Sequence, residues 1–184
     1  NKIAHKINIP FTVGGGIQTE EDVSVLLQNG ADKISINTAA FKNPQLINDI
    51  ALAAGSQCCV LAIDTKKEED GEWYVYLNGG RTKTDMKCVD WAKQGVELGA
   101  GEILLTSMNN DGTKAGFALD ITKRLAQELP IPVIASGGAG SAADFPPAIQ
   151  AGADAALAAS IFHSKAVTIG EVKSVLKNDG FEVR

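Results

Sequence analysis

One segment of the sequence occurs twice. Residues 9–22 read IPFTVGGGIQTEED and residues 131–144 read IPVIASGGAGSAAD, so an Ile-Pro pair, a short apolar run, glycines and an Asp recur in one order. The same offset of 122 residues, without a gap, aligns Gly30-Ala31-Asp32 with Gly152-Ala153-Asp154. An ungapped internal repeat indicates two similar structural units, and it restricts the possible folds more than composition does.

Short apolar runs alternate with amphipathic stretches along the chain. Strands that alternate with helices indicate parallel β-α-β units. The apolar runs contain few polar residues, which is typical of strands that are covered on both faces. The strands are predicted at 11–13, 33–36, 58–63, 102–106, 133–135 and 155–158, and the helices at 19–29, 44–54, 87–98, 118–128, 141–151 and 168–178.

One segment, EWYVYLNGGRTKT, interrupts this alternation. Trp73, Val75 and Leu77 alternate with other residues, and the turn residues Asn78-Gly79-Gly80 follow them. This pattern predicts a β-hairpin that is inserted after the third strand.

Two α/β architectures fit alternating units, an open doubly wound sheet and a (β/α)₈ barrel. The repeat favours the barrel, because glycine-rich strand ends at matching positions of two halves imply quasi-two-fold symmetry. A barrel has about 250 residues in eight units, whereas this sequence has 184 residues and six predicted strands. The sequence therefore predicts a single TIM-barrel domain over residues 1–184 with about six of eight βα units, lacking the two N-terminal ones.

Composition excludes several function classes. The net charge of −5 provides no basic surface for a nucleic-acid backbone. The cysteines Cys58, Cys59 and Cys88 are too few and wrongly spaced for a zinc site or a disulfide framework. No secretory segment and no apolar run of about 18 residues is present, so we expect a cytoplasmic protein without a membrane span.

The repeated glycines are candidates for phosphate binding. In each copy a polar or small pair follows the next strand, Asn37-Thr38 in the first and Ala159-Ser160 in the second. Glycines let the backbone approach a ligand, and amides at a helix N-terminus favour anions. Each cluster could instead form only a tight turn. Two matched copies favour two phosphate sites and hence a bisphosphorylated substrate.

Asp64 is the candidate catalytic residue. It ends the run CVLAID, so its carboxylate is expected at the C-terminal end of a strand, where barrel active sites form. Position alone supports a turn-capping role equally well. Asp111 supplies a second carboxylate, although its Asp-Gly sequence favours a turn over a direct chemical role. No carboxylate–histidine cluster suggests a metal, and no cofactor is expected.

Six motifs resemble the cyclase-subunit family of imidazole glycerol phosphate synthase, an enzyme of histidine biosynthesis, over essentially the whole sequence. The resemblance implies a barrel with an internal half-barrel duplication. It also implies a cyclase that uses ammonia from a glutaminase subunit, docked at the opposite face, to convert the phosphoribulosyl formimino intermediate into imidazole glycerol phosphate and aminoimidazole carboxamide ribotide. The motifs are FTVGGGI, GADKISINTAA, AIDTK, GAGEILLTSMNNDGTKAGF, VIASGGAG and GADAALAASIFH.

The resemblance assigns roles to particular positions. Asp64 matches one of two catalytic aspartates that act as general acid and base, whereas the other aspartate and a nearby loop lysine have no match in this sequence. The remaining matches are Gly16, Asn37 and Thr38 at a first phosphate site; Gly112, Gly138 and Ser160 around a second, near Asp111; Thr106 and Ser136 at the mouth; and Asp32, Lys33 and Glu102 at the ammonia entrance and glutaminase interface.

Departures and alternatives accompany this assignment. Asn109 stands where many relatives carry an acid, and Phe117-Ala118 replaces a common Tyr-Asp. The alternatives are the related isomerase of the preceding step, which the segment SINTAA and the Lys33/Glu102 pair disfavour, and a non-catalytic phosphate-binding scaffold.

One catalytic aspartate and two βα units of the family have no match in this sequence. The chain alone is therefore expected to be impaired as an enzyme and to associate through unpaired strand edges.

Overall fold

A computed structural model describes residues 4–183, in which strands and helices alternate. The strands are β1 Thr12–Gly14, β2 Lys33–Ile36, β3 Cys59–Lys67, β4 Trp73–Leu77, β5 Thr82–Lys87, β6 Glu102–Ser107, β7 Val133–Ser136 and β8 Ala155–Leu157. The helices are α1 Glu20–Gln28, α2 Thr38–Lys42, α3 Gln45–Ala54, α4 Cys88–Glu97, α5 Leu119–Glu128, α6 Phe145–Gln150, α7 Ser160–His163 and α8 Ile169–Asn178.

The order of the parallel strands decides the fold class. The strands lie in the order β1-β2-β3-β6-β7-β8, and every neighbouring pair on this path is parallel. A doubly wound sheet requires the order to reverse at a switch point, whereas each new strand here joins the same growing edge. The α/β barrel prediction is confirmed as a parallel half-barrel sheet of alternating βα units, in which β1 and β8 are the outer strands.

The inserted hairpin is confirmed. β4 pairs antiparallel with β3 and with β5, and the turn between β4 and β5 contains Asn78 and Gly79 at positive φ. β3 continues to Lys67, beyond the predicted end at Ile63, because its residues from Asp64 onward pair with β4.

The expectation that the strands are covered on both faces is wrong for β6, although Val60 on the inner face of β3 is buried. In β6, Ile103, Leu105 and Ser107 are buried, whereas the alternate residues Glu102 and Thr106 are only half-buried. The first set packs toward the helices, and the second lies on the inner face of the sheet. The inner face carries apolar side chains such as Leu104 and, toward the C-terminal ends of the strands, polar ones such as Asp64 and Thr106, which is the arrangement expected where a site is built.

Matching hydrogen bonds reproduce the sequence repeat. The Phe11 N–H donates to Asp32 Oδ2 at 2.7 Å, and the Val133 N–H donates to Asp154 Oδ2 at 3.0 Å. In return, the amide of each Asp donates to the carbonyl of the same partner, at 2.8 and 2.9 Å. Each Asp therefore fixes the start of a strand by the same pair of bonds.

The helix starts after the glycine loops are also matched. Thr19 forms a capping box with Asp22, and Ser141 forms one with Asp144. Each box satisfies amides that a helix N-terminus leaves unpaired. The predicted helix at 141–151 begins with this turn as a 3-10 segment and continues as α6.

Two short helices are absent from the sequence prediction. α2 and α7 follow β2 and β8 at matching repeat positions, with Asn37 and Ala159 as the residues before them. Each spans one turn or slightly more, which is too short to show an amphipathic period.

No helix among residues 4–183 has the length and apolar character needed to cross a membrane.

The Thr19 cap gives a stability prediction. Thr19→Ala removes the side-chain oxygen that accepts the Asp22 N–H at 3.2 Å, and we expect a loss of about 1 kcal/mol in the free energy of unfolding. Urea denaturation measures this change. Ser24→Ala, at an exposed position of the same helix, is the control and should leave the stability nearly unchanged. Equal effects of both substitutions would contradict the role of the cap.

Candidate functional site

The C-terminal ends of β1, β2 and β3 border a cavity of about 690 Å³. Three kinds of segment meet there: the glycine loop after β1, the start of α2 after β2, and the tip of the β4–β5 hairpin. Asp64 lines the cavity from β3. Its other lining residues include Gly15, Gly16, Asn37, Thr38, Lys42, Asn78 and Gly79.

Asp64 is half-buried on the inner face of β3. Asn37 Nδ2 donates a hydrogen bond to Asp64 Oδ2 at 3.1 Å. Burial raises the pKa of the Asp64 carboxyl, the Asn37 bond acts in the opposite direction, and the charge of Asp111 raises it further. A carboxyl with a raised pKa exchanges protons closer to neutral pH, as general acid–base chemistry requires. Asp64, the candidate catalytic residue, is therefore in direct contact with Asn37.

Thr106 and Ser136 lie beside Asp64. In the strand register Asp64 pairs with Thr106, and Thr106 pairs with Ser136. Partners in a parallel register point to the same face, so the three side chains form one row across β3, β6 and β7 on the inner face. Thr106 is the penultimate residue of β6 and Ser136 is the last residue of β7, so both lie at the end of the sheet that carries Asp64.

The first glycine loop is open. Gly15 and Gly16 have φ values of 92° and 75°, and a Cβ added at either one meets no atom within 4 Å. Thr38 Oγ1 accepts the N–H of Asn78 at 3.0 Å, which leaves the Thr38 hydroxyl proton free to donate elsewhere. Gly16, Asn37 and Thr38 come together around the cavity, where backbone approach and a hydroxyl donor suit an anion.

The second glycine loop is covered. The Gly116 N–H donates to the Gly138 carbonyl at 2.8 Å, and a Cβ added at Gly138 would overlap the Gly116 carbonyl. Gly138 is buried by this contact, whereas Gly112 is exposed and Ser160 is exposed at the first position of α7. The two repeat copies therefore differ in accessibility, although their backbones correspond.

The loop at residues 107–116 carries Asp111 and Gly112. Asn110 organises it, because its Oδ1 accepts the Ser107 hydroxyl at 2.8 Å and its Nδ2 donates to the Gly116 carbonyl at 2.9 Å. Asp111 is exposed, and its amide donates to the Ser107 carbonyl at 2.8 Å. Asp111 is thus part of a turn, as its Asp-Gly sequence favours, and its charge also acts on Asp64.

The opposite ends of the strands carry an ion pair. Lys33 begins β2 and Glu102 begins β6, and their side chains bond to each other while remaining 28% and 18% exposed. Asp32, the third residue predicted there, accepts the Phe11 amide and borders a second cavity of about 570 Å³. Lys33 and Glu102 come together at the end of the sheet away from Asp64, whereas Asp32 has a structural role in the repeat.

Residues 4–183 contain no cluster of metal-ligating side chains, and two of the three cysteines are buried thiols. No group of three or more His, Cys, Asp or Glu side chains lies close enough to hold a metal ion within that range. Burial raises the pKa of the Cys59 and Cys88 thiols to about 12, so both are protonated and act as small core residues.

Sequence reasoning missed the contribution of the hairpin tip. Asn78 and Gly79 line the cavity, and the Asn78 amide bonds to Thr38. The sequence marked these residues only as a turn, since contact with α2 depends on how the hairpin folds back.

Phe117, which stands where relatives commonly carry Tyr, is buried edge-to-face against Phe145 with ring centroids 5.4 Å apart.

The chain is similar in sequence to known proteins. The family model described as histidine biosynthesis protein matches residues 1–168. The chain belongs to this family. It is 57% identical over 183 residues to the imidazole glycerol phosphate synthase subunit HisF of Flavobacterium johnsoniae, which covers 99% of the chain and 72% of that relative. It is 57% identical to the same subunit of Bacteroides thetaiotaomicron and 54% identical to that of Geobacillus kaustophilus, each over 100% of the chain and 73% of the relative.

The Asn37–Asp64 contact gives a prediction about protonation. Asn37→Ala removes a donor that favours the charged carboxylate, so the pKa of Asp64 should rise above its value in the parent protein. A carbon-13 NMR titration of the side-chain carboxyl groups, assigned with Asp64→Asn, measures it. Asn43→Ala alters a lining residue of the same cavity and should leave this pKa unchanged. A lower pKa of Asp64 in Asn37→Ala would contradict the assigned donor.

Proposed function

We propose that the protein is the cyclase subunit of imidazole glycerol phosphate synthase and that Asp64 is its catalytic residue among those described. The observation that carries this proposal is a half-buried carboxyl of raised pKa between an open glycine loop and the loop of Asp111. This geometry lies in a chain that matches HisF proteins along its whole length. The reaction is then the ammonia-dependent formation of imidazole glycerol phosphate and aminoimidazole carboxamide ribotide.

Proton transfer is the role we assign to Asp64. Ring closure and cleavage both require protons to move at the reacting centre, and a carboxyl of raised pKa can give or take one there. Asn37 orients the carboxylate through its 3.1 Å bond. Thr106 and Ser136, in the same row, are proposed to contact the substrate between its two phosphates.

Two anion sites are proposed to hold the ends of a bisphosphorylated substrate. The first consists of Gly16, Asn37 and Thr38, and its support is the open backbone around the cavity. The second consists of Gly112, Gly138 and Ser160, and its support is the backbone correspondence with the first copy. Binding at both ends positions the reacting atoms near Asp64 and lowers the entropic cost of reaction.

A glutaminase subunit is the proposed partner. It would dock at the strand ends opposite Asp64, where Lys33 and Glu102 pair and Asp32 is exposed. A charged pair at the entrance can admit a small polar molecule such as ammonia when it opens. Membership of a biosynthetic family supports a cytoplasmic location. The net charge of −5 argues against a nucleic-acid partner.

Substitution of Asp64 tests the catalytic proposal. In a full-length parent protein, Asp64→Asn retains the shape and the bond to Asn37 but cannot transfer a proton, so ammonium-dependent turnover should fall by about 10²-fold or more with substrate binding retained. Asp90→Asn, at an exposed position of α4, is the control. Near-normal turnover of Asp64→Asn would reduce Asp64 to a residue that caps a turn.

The same substitution has a stability effect of defined sign. Because burial raises the pKa of Asp64 above its ordinary value of 3.8, the folded state binds this proton more tightly than the unfolded state. That stabilisation is present below the ordinary pKa and is lost as pH rises through the raised pKa. Asp64→Asn should therefore increase the free energy of unfolding near neutral pH and not at low pH, as urea denaturation would measure. A loss of stability near neutral pH would contradict the assigned burial cost.

A charge substitution tests the first anion site. Gly16→Asp and Gly16→Asn have the same shape, and both residue types tolerate a positive φ better than most. Gly16→Asp should abolish binding of inorganic phosphate in calorimetry through repulsion, while Gly16→Asn should weaken it less. Ser160→Asp and Ser160→Asn form the equivalent pair at the second site, since a side chain at Gly138 would displace Gly116. Equal affinities within each pair would reject these sites.

A further inference from the structure

Asn109 connects the loop at residues 107–116 to the end of β3. The Lys67 N–H donates to Asn109 Oδ1 at 2.8 Å, and Asn109 Nδ2 donates to the Lys67 carbonyl at 3.4 Å. The Met108 N–H donates to the Thr65 carbonyl at 2.8 Å, just before this contact. Asn109 therefore replaces a peptide group and continues the β3–β6 ladder past its last paired residues, Thr65 and Ser107.

The residue that Asn109 contacts is itself fixed. Lys67 Nζ bonds to Asp120 Oδ2 at 2.8 Å, and the same oxygen accepts the Trp73 indole N–H at 3.3 Å. The main chain of Lys67 is held by Asn109 and its side chain by α5. The end of β3 is thus a fixed point to which the loop of Asp111 is attached.

The charged and polar groups around Asp64 come from several elements. Asn37 contacts it from the start of α2, Asp111 acts on it from the loop after β6, and Lys42 lines the same cavity. Lys66 follows on the same face of β3 but pairs with Glu68 and lies over the Tyr76 ring. Of these groups, Asp111 is the one in the loop that Asn109 attaches to β3, two residues further along the chain.

We propose that Asn109 is a positioning residue, which acts through Asp111 by holding this carboxylate at a fixed place relative to Asp64. Its amide is suited to this task because one side chain both accepts from and donates to the Lys67 peptide. An acid at this position can accept the Lys67 N–H but cannot donate to the Lys67 carbonyl. The inference gives Asn109 a role in the proposed catalytic function and rests on that function for its consequence in turnover.

A double-mutant cycle separates this role from a merely structural one. Asn109→Ala releases the loop, so the pKa of Asp64, followed by carbon-13 NMR in the 184-residue chain, should fall. In an Asp111→Asn background no charge remains to be positioned, and Asn109→Ala should then leave the pKa of Asp64 unchanged. If Asn109→Ala instead lowers it equally in both backgrounds, the loop only shields Asp64 from water and the proposal is wrong.

Two further variants complete the test. Thr113→Ala removes a hydrogen bond that stays within the loop, from Thr113 Oγ1 to the Asn110 carbonyl at 2.6 Å, and it should not change the pKa of Asp64. A change equal to that of Asn109→Ala would contradict the proposal. If Asn109→Ala does not fold, the cycle is run with Asn109→Ser, whose short side chain cannot bridge both Lys67 groups.

Turnover provides a separate readout. In the ammonium-driven cyclase reaction, Asn109→Ala should lower kcat roughly tenfold through misplacement of the acid–base site, with the acid limb of its pH profile shifted to lower pH. An NMR shift without cyclase activity in a full-length protein that carries these residues would reject the proposed function and keep the positioning role. Normal kcat with an unshifted profile in an active parent would reject the positioning role.

Discussion

The register between β3 and β6 is the constraint on which the rest of the structure depends. Residues from Val60 to Thr65 pair in order with residues from Glu102 to Ser107, in the middle of the sheet. This register places Asp64 beside Thr106 on the inner face and Thr65 among the buried residues of the outer face. A slip of one residue would turn Asp64 toward the helices and remove the carboxyl from the cavity. The β3–β6 register also sets the place from which the loop of Asp111 begins.

The repeat places its two copies on either side of this central pair. β1 and β2 belong to the first copy, β7 and β8 to the second, and both glycine loops therefore lie at the strand ends that carry Asp64. The two copies share backbone hydrogen bonds but differ in their contacts with Asp64 and in the accessibility of their glycine loops. The first has Asn37 against Asp64 and an open loop, whereas the second has Ala159 at the matching position and a loop covered by Gly116. In the proposed function, duplication supplies the two anion sites and divergence supplies the acid–base site between them.

Local sequence signals predicted most of the fold, and contacts between distant residues account for what they missed. The six parallel strands and the hairpin follow from apolar runs and the Asn78-Gly79 turn, and the repeat follows from matched glycines. The inner face was mistaken for a covered one because short strands of small residues such as Ala62 read as apolar on both sides. The link between Asn109 and Lys67 joins residues 42 positions apart. No local pattern marks it, since an amide side chain that replaces a peptide group leaves no periodic signal.

The central claim is that the two copies bind two oxyanions at one edge of the sheet with Asp64 between them. Diffraction from crystals of the protein soaked in selenate tests it directly, because the anomalous signal of selenium locates each tetrahedral anion. We expect two peaks, one against the amides of Gly15 and Gly16 beside Thr38, and one at the start of α7 beside Ser160. Peaks at other surfaces, with none at these two loops, would contradict it.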